Sequence, residues 1–316
     1  MPYKPAYLRH LLATIWKPTM TVDREAKQSK RGTMKHGSNT ERVTRHYELI
    51  SRCSPSFFQS TVQKLKPKIG LRQMLGLKKT PFFHLFEMPK FHVSFARVES
   101  ILRRYDLISD AFVFGDKIDI PFISSEFSVV MRLKDIGQHI DLDMSMESDI
   151  VRRHFQGKTS IVKRKNIAAK LDMLADKQED IDVDDFVKLY IIFVFNCILF
   201  PTSNCTTPRF LLPYVDDLSK ICNYAWGNAA YRFLNEEILK HVRDGERRKK
   251  YFDGCVIGLM AWVYERIPSL GKPCALHIFP RFFRWVDSKI PNDLDAASVA
   301  FLSITKNKVL PHLPFT

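Results

Sequence analysis

One stretch constrains the fold of this chain more than any other. Leu189–Phe200 reads LYIIFVFNCILF, twelve residues with Asn196 and Cys197 inside them, closed by Pro201. Coiled as a helix, the run is apolar on every side. A membrane span needs about 18 or more apolar residues, so this one is too short to cross a bilayer. An all-round apolar helix that cannot span a membrane is the central helix of a globular core. Asp182 or Asp184 is the expected N-cap, and acids at that end suit the helix dipole. The helix is expected over Phe186–Phe200, stopped by Pro201 because proline cannot donate the next hydrogen bond.

Further helices are expected around it. Arg209–Leu218, with Pro213 near its start, reads as one. Trp226, Ala230, Phe233, Leu234, Ile238 and Val242 recur at helical spacing, which predicts a buried face over Trp226–Val242. Asp253 is the expected cap of a helix over Cys255–Ile267, ended by Pro268. Upstream, Ser54-Pro55 opens a short helix with proline in its first turn. Ser94 caps another through Tyr105. Alternating apolar residues flank Gly115-Asp116 in AFVFGDKIDI, the signature of a small β-hairpin, and Ser124 is the expected cap of the helix that follows. The aromatic tail HIFPRFFRWVD is expected to dock on the core. The fold class that results is mainly α: a multi-helix globular domain with a small β-hairpin, preceded by a flexible basic arm.

Charge divides the chain. Residues 1–80 hold 17 Lys and Arg against 4 Asp and Glu, whereas the other 236 hold 32 against 30, within a total net charge of +15. Residues 1–45 have too few large apolar side chains to offset the entropy of ordering. They are expected to form the arm, with a loose basic cluster at Lys27, Lys30, Arg31 and Lys35. Residues 46–81 read as a basic connector with short helices, 82–290 as the helical domain and 291–316 as a C-terminal tail. A second basic cluster lies at Arg152, Arg153, Lys163, Arg164 and Lys165, with Lys158 among them. Such clusters bind polyanions by releasing counterions, so both are candidate nucleic-acid-binding residues.

Common catalytic patterns are absent from the sequence. It contains no glycine-rich phosphate loop and no zinc-binding H-E-x-x-H. The six cysteines form no C-x-x-C pair, so free thiols in a reducing compartment are expected. Asp216-Asp217 and Glu236-Glu237 are adjacent pairs. Neighbours on a helix point about 100° apart, so they do not converge on a metal or a substrate. Cys255 lies at a helix start but runs into apolar residues and reads as a core cysteine. No catalytic residue, metal ligand or cofactor is expected, and no membrane span.

The segments LFPTSN, PYVDDL, YAWGNAAYRFLNEEI, YFDGCVIGLMAWVYERIP and PRFFRWVD, in this order, resemble the plant mobile domain family, also called "aminotransferase-like". The resemblance implies a helical domain of transposon origin acting in the nucleus, in transposon silencing, genome stability or development, with chromatin and a phosphatase-like protein as partners. The "aminotransferase-like" label has no support, since no Schiff-base lysine pattern is visible. The expected function is therefore non-enzymatic nuclear interaction. The competing expectation is the N-terminal part of a transposon-encoded SUMO-type cysteine protease without its catalytic domain.

Overall fold

A computed structural model describes residues 48–313, except 92, 245–248 and 286. The expected arm and its cluster Lys27, Lys30, Arg31 and Lys35 lie outside the described residues. In chain order the elements are β1 (Glu48–Ser51), α1 (Pro55–Leu65), α2 (Leu71–Lys78), α3 (Phe83–Phe86), α4 (Phe95–Leu102), β2 (Tyr105–Asp106), β3 (Ala111–Phe114) and β4 (Ile118–Ile120). There follow α5 (Ser124–Met131), α6 (Asp149–Phe155), α7 (Arg164–Leu174), α8 (Asp180–Val194), α9 (Trp226–Arg243), β5 (Lys249–Phe252), α10 (Val256–Arg266), β6 (Gly271–Lys272), β7 (Asp287–Ser288) and α11 (Leu294–Leu302). The fold is mainly helical, as expected, with a small antiparallel sheet β2-β3-β4. A parallel ladder joins β1 to β5, and an antiparallel one joins β6 to β7.

The apolar run becomes the end of α8 and a π-helical turn over Phe195–Leu199. Every side chain from Leu189 to Phe200 is buried. The wider π turn lets Cys197 offer its carbonyl to the Ser54 N–H at 2.8 Å, which fixes the start of α1. Rings from distant segments close around this axis. Phe58 stacks on Phe193 with centroids 5.2 Å apart, and Phe82 meets both Phe195 and Trp226 edge-on at 5.4 Å. Truncating such a ring to alanine in a packed core costs about 3–5 kcal/mol.

Several boundaries differ from the sequence reading. α8 begins at Asp180, and its N-cap Glu179 makes no side-chain cap bond. The expected helix over Arg209–Leu218 is instead two 3-10 turns, Arg209–Leu211 and Pro213–Val215. Pro213 has no N–H, and its ring blocks the carbonyl four residues back, so an α-helix cannot run through it. Ser124 is the first residue of α5 rather than its cap, and its hydroxyl donates to Asp135. Asp253 does not cap α10; its Oδ1 accepts the Ser203 N–H at 2.7 Å and holds the turn after α8. Ser94 does cap α4, accepting from Arg97 N–H at 3.4 Å.

The segments read as connector and tail pack into the same compact unit as the helical domain. In α2, Leu77 is buried, and Gly76 lies so close to α8 that a Cβ there would stand 2.7 Å from Val187 Cγ2. In α11, Phe301 meets Phe114 of the hairpin at 5.3 Å. The turn of that hairpin needs Gly115, at φ +53°, because a side chain would strike the Ile304 carbonyl at 1.9 Å. The aromatic tail docks, with Phe282, Phe283 and Trp285 buried.

Two of the buried carboxylates, Glu126 and Glu265, are saturated with donors. Glu126 of α5 is 1% exposed. It receives Arg266 Nη1 at 2.8 Å on each oxygen, Trp262 Nε1 at 2.8 Å and the Leu313 N–H at 3.3 Å. Glu265 of α10 receives Trp285 Nε1 at 2.8 Å, Arg284 at 3.2 Å and Arg281 at 3.4 Å. Each ties a helix to the C-terminal segment, which is why that segment belongs to the fold.

Candidate nucleic-acid interface

Several groups with latent chemistry are built into the structure, while the free thiols Cys222 and Cys274 are exposed. Cys53, Cys197 and Cys255 are buried free thiols. Burial pushes Cys53 up to about 12, against the N–H groups of Ile257 and Val256 that favour its thiolate. Burial likewise holds Cys197 and Cys255 in the thiol form. Neutral thiols shut off from solvent are poor nucleophiles. Asp216 and Asp217 do not converge, and each has its own backbone partners. Asp216 reaches across 66 residues to accept the Ile150 N–H at 3.0 Å and the Asp149 N–H at 2.9 Å, capping α6 from outside. Asp217 bonds Ser219 and Lys220 in its own turn. Among the described residues, no group of three or more His, Cys, Asp or Glu could hold a metal ion. Nor is any described helix long and apolar enough to cross a membrane.

Asp185 of α8 is the one buried acid facing the second basic cluster. Arg153 donates to both its oxygens, and His154 Nε2 lies 2.7 Å from Oδ2. Burial pushes Asp185 up, but the hydrogen bonds from His154 and Arg153 outweigh it and hold the carboxyl below its usual range. Among the described residues no hydroxyl or thiol bonds His154, so the pair clamps α6 to α8 and lacks a nucleophile.

That clamp sorts the cluster. Arg153 is consumed by Asp185, and Arg152 pairs with Asp149 at 2.7 Å. Lys158, Lys163 and Lys165 are exposed, with no carboxylate partner among the described residues. Lys163 sits at the N-cap of α7, joined by an isolated bridge to Thr206, and Arg164 opens the helix. Arg164 is half-buried. Its Nη2 donates to the backbone carbonyl of Arg52 at 2.8 Å.

Arg52 is the residue that the sequence reading missed. It lies 112 positions from Arg164, in the loop after β1, and no local pattern marks it. Its guanidinium stands over the ring of Tyr251, 5.8 Å from the centroid, and Tyr251 is 52% exposed. The parallel register β1–β5 sets Ile50 opposite Tyr251, so strand pairing delivers the ring to Arg52. Arg164, Arg52 and the exposed ring of Tyr251 thus meet near the start of α7, the segment that also carries the exposed Lys158, Lys163 and Lys165.

A cleft of about 450 Å³ opens elsewhere, between α2, α8 and the turn at 218–221. Leu75, Val183, Val187, Leu218 and Ile221 form its apolar walls. Arg72 at its rim is held by Asp180.

No curated protein and no solved structure matches the chain. A family model matches residues 51–260, about two thirds of the chain, and it is not the plant mobile domain. The resemblance drawn from sequence is corrected accordingly. The segments that suggested it have general structural jobs: Pro201 ends the central helix, Asp216 caps α6, and Trp226 fills the core between Phe82 and Phe195. Such features recur wherever helices pack, so their order does not identify a family. The transposon origin and the phosphatase-like partner lose their basis with it, as does the protease alternative. The chain belongs to the family described as a domain of unknown function, DUF8566.

Proposed function

We propose that this protein is a non-enzymatic interaction protein whose folded domain contacts nucleic acid through the face at the start of α7. The observation that carries the reading is the set of exposed lysines, Lys158, Lys163 and Lys165, with no acid to neutralise them, around a folded scaffold. Some lysines elsewhere on this surface do find acids: Lys66 pairs with Glu87, Lys68 with Asp172 and Lys240 with Glu237. Unpaired cations grouped on a rigid element attract a polyanion, and the affinity comes from released counterions. The basic run Lys27–Lys35 adds charge on the same chain, and a nuclear site of action belongs to this proposal.

The test is binding of a labelled mixed-sequence oligonucleotide, measured by fluorescence anisotropy over a range of salt. Each phosphate contact contributes about −0.7 to −0.9 to the slope of log K against log salt. Replacing Lys158, Lys163 and Lys165 together with glutamine is expected to flatten that slope by about two to three. Deleting residues 1–45 is expected to weaken binding while leaving the contribution of these lysines intact. An unchanged slope in the triple variant would remove the α7 face from the proposal.

A further inference from the structure

The arginines drawn into this structure fall into two groups. The buried Arg266 and Arg281 and the half-buried Arg284 each meet a carboxylate. Arg52 and Arg164 are half-buried without a carboxylate partner among the described residues, as are Arg104 and Arg232, but only Arg52 and Arg164 are joined to each other. Arg52 makes no side-chain hydrogen bond, and Arg164 makes its bond to a carbonyl. A guanidinium that is partly withdrawn from water loses hydration, and a carbonyl dipole returns only part of that loss. Since Arg164 touches the carbonyl of Arg52 itself, the two groups emerge within one arginine side chain of each other.

From this geometry we infer that Arg52 and Arg164 form a site for one phosphodiester group of a nucleic-acid strand. The inference rests on the proposed function and sharpens it: the lysines supply diffuse attraction, and the arginine pair holds a phosphate at a fixed place. Arginine suits that role because its planar fork meets two phosphate oxygens at once, whereas lysine acts as a point charge. Tyr251, with Arg52 over its ring, borders the site and offers an exposed face to the nucleotide beside that phosphate. Arg104 is a half-buried arginine that also lacks a carboxylate among the described residues. It has no bond to Arg52 or Arg164, and it serves as the control.

The experiment uses the full chain and a labelled single-stranded oligonucleotide, with Arg52→Met, Arg164→Met and Arg104→Met each checked for folding by circular dichroism. Arg52→Met and Arg164→Met are each expected to weaken binding about 5- to 10-fold and to lower the salt slope by about one phosphate, with Arg104→Met like wild type. If wild type and Arg104→Met bind with a steep salt slope but the other two variants match them, the arginine site is overturned and the lysine face stands. If wild type shows no salt-dependent binding, the functional reading fails and the site with it. A third arm titrates inorganic phosphate alone. Saturable binding of phosphate that Arg52→Met abolishes, without oligonucleotide binding, would assign the pair to a small phosphorylated ligand and overturn the nucleic-acid assignment.

Discussion

Arg266 and Arg52 are the same side chain in opposite circumstances. Arg266 is 3% exposed and meets Glu126 at 2.8 Å, with Trp262 and a backbone N–H completing the carboxylate. Arg52 is half-buried at the β1–α7 junction and meets an aromatic ring but no acid. Nε is left without an acceptor in both, and among the described residues only Arg266 meets a carboxylate. Where the fold encloses a cation for its own stability, it encloses the anion too. Where it leaves a pair of cations at a rim without one, the missing anion is free to come from outside.

The largest effect should appear at the saturated site. Glu126→Ala leaves Arg266 buried without a counterion, which is expected to cost about 3–5 kcal/mol in urea denaturation. Replacing both partners, as in Glu126→Leu with Arg266→Met, should cost clearly less than the single change, because no unpaired charge remains. Equal losses in the two would mean that the pair is not the unit of stability there, and the contrast with Arg52 would lose its reference.

Much of the saturated core could be read from the sequence, whereas the unpaired rim could not. Leu189–Phe200 announced a buried helix through composition alone, and Pro201 its end. Trp226–Val242 was visible because its apolar residues repeat with the helical period. The helix expected at Arg209–Leu218 failed because Pro213 counted for less there than the run of apolar residues around it. Asp216 looked like part of a solvated pair, since the helix it caps begins 67 residues upstream. Arg52 carried no signal: its meaning depends on Arg164, and only folding brings the two together. Charge counting likewise grouped Arg153 with Lys163, although Asp185 takes one and leaves the other.

A smaller effect concerns an acid in the reverse position. Asp253 is raised to about 6, by burial first and then by the charge of nearby Glu237. Its pKa in the folded chain lies above the ordinary 3.8, so the folded state favours the protonated form. The stability this contributes is fully present below about pH 4 and is lost as pH rises through about 6. Asp253→Asn keeps an oxygen for the Ser203 N–H and removes the charge. Its stability relative to wild type is expected to grow as pH rises from about 4 to about 6 and then to level off, followed as the urea midpoint across a pH series. A difference independent of pH would show that the carboxylate is not held at a disadvantage.

The smallest change in energy bears most directly on the contrast between Arg52 and Arg266. Melting temperatures of wild type and Arg52→Met are compared in chloride and in inorganic phosphate at matched ionic strength. In chloride the variant is expected to melt at or slightly above wild type, because Arg52 there is a partly desolvated cation without a partner. Phosphate raises the melting of any protein somewhat by exclusion from its surface, and that part is common to both. Wild type is expected to gain more, since an anion that binds only the folded state adds stability in proportion to the logarithm of its occupancy, so the order of the two reverses. An equal shift in both proteins, with the order unchanged, would contradict the claim that Arg52 and Arg164 await an external anion.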